Sequence, residues 1–122
     1  MKAKKRFALL LWTLLSFSAF ADDADVHREL RLAAGIGDIE TIARLLDEGA
    51  DVNSANNVGK TALMMAIEND NMEATALLLA RGADVNAETM AGCTALTFAA
   101  ENGHDALTAL LLERGADLDA TT

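Results

Sequence analysis

Apolar residues recur at helical spacing along most of this chain, in short stretches that end at glycines or at clusters of polar residues. Leu30 and the pair Ala33-Ala34 predict a short first helix that Gly35-Ile36-Gly37 ends. A second helix is predicted by four apolar positions, Ile39, Ile42, Leu45 and Leu46. Asp38 is placed to cap this second helix, and Gly49 stands where a left-handed residue would end it.

The same pair of stretches follows twice more. In the second copy, Thr61 can cap a helix that Asn69-Asp70-Asn71 breaks, and a further apolar run then reaches Arg81. In the third copy, Thr94 stands at the cap position and Asn102-Gly103 at the break. The pattern therefore predicts three consecutive pairs of helices.

A hexapeptide that begins with Gly-Ala-Asp occurs three times, at Gly49, Gly82 and Gly115, with an interval of 33 residues each time. Other residues repeat at this interval: Gly59 with Gly92, Thr61 with Thr94, Leu63 with Leu96, and Ala33 with Ala66 and Ala99. A fixed period of this length indicates stacked repeats, because one helix pair cannot bury its apolar face alone. The predicted fold is an all-α solenoid of about three 33-residue helix-turn-helix units with hairpin-like loops, at about 26–54, 55–87 and 88–120.

Residues 1–21 have the features of a secretory signal peptide. A basic start precedes an apolar run from Phe7 to Phe20, and Ala19-Phe20-Ala21 supplies the small residues that signal peptidase reads. An uncleaved anchor is the alternative, but the run is short of the roughly 20 residues that span a bilayer. The mature chain is expected to begin at Asp22 with an acidic lead, 22–25, before the repeat domain at 26–122. The compact, bacterial type of signal predicts a periplasmic or secreted protein, with no membrane association after cleavage.

The net charge of the chain after residue 21 restricts the classes of molecule that it is expected to bind. After residue 21 the chain has six basic and nineteen acidic residues, a net charge of −13. Such a surface repels phosphate backbones and anionic membranes, so nucleic-acid binding is not expected. It favours a protein partner with a basic patch. The single cysteine excludes a disulfide within the chain.

No constellation for catalysis, metal binding or cofactor binding is found. Gly59-Lys60-Thr61 resembles the end of a phosphate-binding loop, but that motif needs glycine where Ser54 stands. His27 and His104 lie two repeats apart and lack further ligands at metal-binding spacing. Cys93 lies in a turn without a histidine placed to activate it, although a redox-sensitive or dimer-forming thiol is an alternative. The chain is predicted not to be an enzyme and to need no cofactor.

The repeated motifs resemble those of the ankyrin-repeat family. The matching residues are the Gly-x-Thr-x-Leu frame at Gly59 and Gly92, the paired small residues at helix ends, the Leu-Leu pairs and the Gly-Ala-Asp-Val-Asn motif. The resemblance covers about 26–120. The family usually has Thr-Pro-Leu-His at the start of the first helix. Here Ala62 and Ala95 replace the proline, and Met64 and Thr97 replace the histidine, which predicts the same fold with lower stability.

The resemblance implies a non-catalytic protein-protein interaction module that binds its partner on the concave face of the solenoid. In ankyrin proteins, contacts come mainly from hairpin tips and the ends of the inner helices. The corresponding positions here are Asn57, Val58, Lys60, Glu68, Asn69, Met90, Ala91, Cys93, Glu101 and Asn102. Of these, Lys60 is expected to be an exposed lysine at a hairpin tip.

The two ends of the stack suggest an alternative function. Arg31 and Arg44 replace apolar residues of the later repeats, so repeat one is predicted to be a polar amino-terminal cap. Repeat three keeps Leu107 and Leu110, which could leave apolar surface open. The alternative is therefore a structural or protective periplasmic factor that self-associates through this repeat. The oligomeric state is expected to be a monomer or a weak dimer.

Overall fold

Six helices form three consecutive helix-turn-helix pairs in the computed structural model, which describes residues 25–116. The proposed signal peptide, the start of the acidic lead and the last six residues lie outside the described part. The helices are α1 (25–36), α2 (Ile39–Asp47), α3 (Ala62–Glu68), α4 (Met72–Ala80), α5 (Ala95–Glu101) and α6 (Asp105–Glu113). The described residues contain no β-strand, only an isolated antiparallel bridge between Ala55 and Thr61 that gives one loop its hairpin shape. The predicted all-α repeat architecture is confirmed.

The boundaries of the helices follow the period of the sequence. The second helices of the three pairs each have nine residues and begin 33 residues apart, at Ile39, Met72 and Asp105. The inner helices α3 and α5 begin at Ala62 and Ala95, also 33 residues apart. These two alanines occupy the first helical position, as the sequence register predicts.

Helix α1 is longer than predicted, because it continues through Gly35 and ends at Gly37. Asp25, which was assigned to the acidic lead, is already helical and forms an ion pair with Arg28. A glycine inside a helix costs about 1 kcal/mol relative to alanine, but tertiary contacts can outweigh this preference. Here the side-chain amide of Asn71, from the next repeat, donates to the carbonyl oxygens of Ala34 and Gly35. Gly37 then ends the helix with φ of 79°.

The core lies between the helix pairs and continues from one repeat to the next. Helix α3 packs against α4 and α5, α2 packs against α4, and α5 packs against α6. The largest fully buried apolar side chains of the core are Leu30, Ile42, Leu45, Leu63, Met64, Ile67, Leu78, Leu107 and Leu111. Burying a side chain of this size stabilises the fold by roughly 1.5–3 kcal/mol. The buried alanines, such as Ala66 and Ala99, allow the helices to approach closely.

The residue before each second helix has a different task in each repeat. Asp38 caps α2: its carboxylate accepts hydrogen bonds from the backbone amide and the hydroxyl of Thr41, and these bonds lower the pKa of Asp38. At the equivalent position, Asn71 instead reaches back to the end of α1. His104, one period later, places its Nε2 atom 3.4 Å from the carbonyl oxygen of Glu68 at the end of α3. The second and third repeats therefore use this position to join the preceding repeat.

Met64 and Thr97, which stand where the family usually has histidine, form hydrogen bonds within the caps of their own helices. Thr61 accepts a hydrogen bond from the amide of Met64, and the Met64 sulfur accepts one from the amide of Thr61. In the third repeat, Thr94 and Thr97 form the equivalent reciprocal pair through their hydroxyl groups. A thioether and a hydroxyl thus complete the caps at positions where the family usually has histidine.

The loops between repeats are held together by asparagine side chains and by one close backbone approach. Asn53 accepts a hydrogen bond from the amide of Asp84 and donates one to the carbonyl oxygen of Gly82. Gly59 has φ of 88°, and a Cβ atom on it would lie 2.9 Å from the Cα atom of Thr89. Only glycine meets both the backbone angle and the close approach without strain.

Gly59→Ala is predicted to destabilise the protein more than Gly92→Ala, its equivalent one period later. Gly92 has φ of 85°, but no described atom lies within 4 Å of the position of its Cβ. Gly92→Ala should therefore cost only the left-handed strain of about 1–2 kcal/mol. Gly59→Ala should cost at least about 1 kcal/mol more, because backbone atoms must move apart. Equal midpoints of urea unfolding for the two variants would contradict the close contact.

Candidate partner-binding site

An apolar groove of about 370 Å³ lies between the loop tips of the second and third repeats. We call it the tip groove, and its lining residues are Val58, Lys60, Thr89, Met90, Ala91, Cys93 and Phe98. Five of the ten residues that the family resemblance implied as partner contacts are in this lining: Val58, Lys60, Met90, Ala91 and Cys93. Half of the residues that the family resemblance implied therefore lie together at one groove, and the other half do not line it.

Hydrogen bonds hold both walls of the tip groove in a fixed shape. The amide of Met90 donates to the carbonyl oxygen of Val58, which joins the two tips directly. Within the first tip, the Asn56 side chain accepts from the amides of Val58 and Lys60. In the second, the Thr89 hydroxyl accepts from the amides of Ala91 and Cys93. A binding surface that is already ordered loses less conformational entropy when a partner binds.

The outer part of the tip groove is apolar and open to solvent. Met90 is 80% exposed and Val58 is 52% exposed, although both are large apolar residues. Cys93 is half-buried and has a free thiol. Exposed apolar side chains around a concave, pre-formed groove are typical of interaction sites.

Lys60 is not the exposed tip lysine that the sequence suggested. Its side chain is only 22% exposed, and its Nζ atom lies 2.6 Å from a carboxylate oxygen of Glu68. The same nitrogen lies 5.2 Å from the centre of the Phe98 ring, within the range of a cation-π interaction. Lys60 therefore joins the loop of repeat two, the end of α3 and the inner helix of repeat three.

Thr89 and Phe98 are the two groove residues that the sequence did not predict, and Phe98 is the large apolar one. The helical pattern of the third repeat makes Phe98 one apolar position among several. The available signal was a break in the period, since Met65 stands at the equivalent position of repeat two. Only the packing of α5 beside the loop of repeat two shows that this ring faces Lys60.

The other five candidate residues surround the tip groove without lining it. Glu68 is connected to the groove through Lys60, and Asn57 is an exposed residue of the first tip. Asn69 and Asn102 follow α3 and α5, and their side-chain amides donate to the carbonyl oxygens of Met65 and Phe98. Glu101 is the exposed last residue of α5. Asn69 and Asn102 thus have a structural use in ending their helices.

The third repeat is less open than its sequence suggested. Leu107 and Leu111 are fully buried, and Leu110 is half-buried against the core. Leu112 is the large apolar residue of α6 that remains exposed, at 40%. The expectation that Leu107 contributes to an open apolar surface is wrong, because it faces inward between α5 and α6.

Other candidate sites have fewer features that point to binding. Among the described residues, no three His, Cys, Asp or Glu side chains are grouped closely enough to hold a metal ion. A second cavity of about 360 Å³ lies at the turns of the helix pairs and is lined by Ile36, Gly37, Asp70, Asn71, Met72, Glu73 and Ala74. Met72 is exposed there, at 40%. None of the described helices has the length and apolar character needed to cross a membrane.

Lys60→Ala is expected to lower the free energy of unfolding by about 1 kcal/mol, because it removes both the ion pair with Glu68 and the contact with Phe98. The matched control is Asn57→Ala at the exposed tip, which should stay within about 0.5 kcal/mol of the parent. Urea unfolding of the two variants decides the point. Equal midpoints would mean that Lys60 does not hold the repeats together.

Comparison with known proteins agrees with the geometry of the repeats. A family model described as ankyrin repeats, in three copies, matches residues 30–122, well over half of the chain. No curated protein gave a significant match. The matched range contains α2 to α6 and both walls of the tip groove. Ankyrin repeats generally act as non-catalytic modules that bind other proteins, and this chain belongs to the ankyrin-repeat family.

Proposed function

We propose that this protein is an exported binding module that captures a protein partner at the tip groove. The observation that carries the proposal is the apolar lining of this groove, with Met90 and Val58 exposed on tips that are already ordered. Family membership supports protein binding in general. The choice of this face, rather than another part of the surface, rests on the groove.

Export is the second part of the proposal. It is supported by the basic start, the apolar run and Ala19-Phe20-Ala21. A module with one cysteine and no disulfide is independent of the redox state of its compartment, so the fold is compatible with the periplasm. The mature protein would then meet its partner in the periplasm or outside the cell.

Self-association through the third repeat is the competing function. The burial of Leu107 and Leu111 removes much of the apolar surface that it would need, and leaves Leu112 with part of Leu110. Interfaces that are stable in solution bury about 800 Å² on each partner. Within the described part of repeat three, one exposed leucine and part of a second support such an area poorly, so binding of a different protein at the tip groove is the better-supported proposal.

Export should remove residues 1–21. Intact-mass measurement of the protein recovered from the periplasm or the medium is expected to give a chain that begins at Asp22. Ala19→Arg with Ala21→Arg should block the cleavage, because signal peptidase needs small residues at these positions. A recovered protein that retains the run from Phe7 to Phe20 would contradict the prediction.

Binding at the tip groove should protect Cys93, the one cysteine of the chain, from alkylation. The measurement is the rate of labelling by iodoacetamide with and without the partner that affinity capture recovers from periplasmic extract.

Met90→Ser should weaken capture at least about tenfold without changing the unfolding midpoint, since the side chain is exposed. Leu112→Ser is the matched control on α6. If Leu112→Ser abolishes capture and Met90→Ser does not, the third repeat is the binding surface.

A further inference from the structure

We infer that the tip groove recognises a partner segment that carries a large apolar side chain close to a lysine or arginine, with Glu101 binding the basic group. The inference rests on the proposed function, because it names the class of partner for the same groove. It comes from a difference in charge between two repeats that share the same backbone.

In repeat two the carboxylate at the end of the inner helix is already neutralised. Glu68 is the last residue of α3, and Lys60 from the preceding loop lies 2.6 Å from it. Lys60 is mostly buried, so it is not available to an acidic partner. This pair contributes no net charge to the groove.

In repeat three the same carboxylate lacks its cation. Glu101 is the last residue of α5, one period after Glu68, and Cys93 stands where Lys60 would be. Glu101 is exposed and forms no ion pair with any residue in the described range 25–116. Its negative charge is therefore available to a partner.

The position of Glu101 places this charge beside the apolar lining. Phe98 lines the groove and lies three residues before Glu101 on α5, so the two side chains are neighbours on one face of the helix. Cys93 also lines the groove, and in repeat two the equivalent residue, Lys60, reaches the equivalent carboxylate. One binding segment can thus fill the groove with an apolar side chain and pair a basic side chain with Glu101.

The partner's chemistry follows from these two features. An aliphatic or aromatic side chain fits the apolar lining formed by Val58, Met90 and Phe98. A lysine or arginine within about three residues of it can reach the carboxylate, since an extended segment rises about 3.3 Å per residue. The acidic surface of the protein would also accelerate the encounter with a basic segment.

The test uses a random peptide library displayed on phage, selected on the purified mature protein that begins at Asp22. Peptides whose binding is lost in Met90→Ser are expected to contain Leu, Met or Phe with a nearby Lys or Arg. For one such peptide, replacing its basic residue by Gln should weaken binding about two- to fivefold, as expected for an exposed ion pair. In the Glu101→Gln variant, replacing the basic residue of the peptide by Gln should not change its affinity, because the carboxylate that pairs with this residue has been removed.

Glu113→Gln is the matched control, since it removes one exposed carboxylate from the end of α6 and should leave the peptide's preference intact. Groove-binding peptides without a basic residue, or a preference that survives Glu101→Gln, would overturn the inference and leave the proposed function standing. If no selected peptide depends on Met90, both proposals fail. Thermal unfolding of each variant confirms that the fold is intact.

Discussion

The first two repeats of this protein depend on polar groups of the following repeat to complete the hydrogen bonds at the ends of their inner helices, and this constraint governs the stack. The last carbonyl groups of a helix have no partners within that helix. At the end of α1 they accept hydrogen bonds from Asn71, and at the end of α3 one of them faces His104. Asn53 makes the corresponding link between loops. The first and second helix pairs are therefore each completed by the pair that follows, in polar groups as well as in the core.

The tip groove is a consequence of this stacking. One wall belongs to the loop of repeat two and the other to the loop and inner helix of repeat three. The walls meet where the Met90 amide donates to Val58 and where Gly59 approaches Thr89. Stability and binding are thus coupled at this boundary: the contacts that join two repeats also fix the shape of the surface between them.

The fold and the candidate site use opposite features of the repeats. Residues that keep the period build the scaffold, as Thr61 and Thr94 do at the helix caps. The groove is lined where the period is broken: Phe98 stands in place of Met65, Met90 in place of Asn57, and Cys93 in place of Lys60. Since repeated positions have nearly the same backbone environment, a change of an exposed side chain such as Met90 alters the surface chemistry with little effect on the scaffold.

The sequence by itself determined the repeat architecture, the period and the helix starts at Ala62 and Ala95, and its resemblance to the ankyrin family pointed to five of the seven residues that line the tip groove. The architecture, the period and the helix starts follow from local signals, namely helical spacing, caps and turn glycines, which act over a few residues. The extension of α1 through Gly35, the burial of Leu107 and the position of Lys60 between Glu68 and Phe98 were decided only by the tertiary structure. Each of these three features depends on groups from different elements, and two of the three involve contacts across a repeat boundary. Spacing along the chain does not reveal which side chains meet at such a boundary.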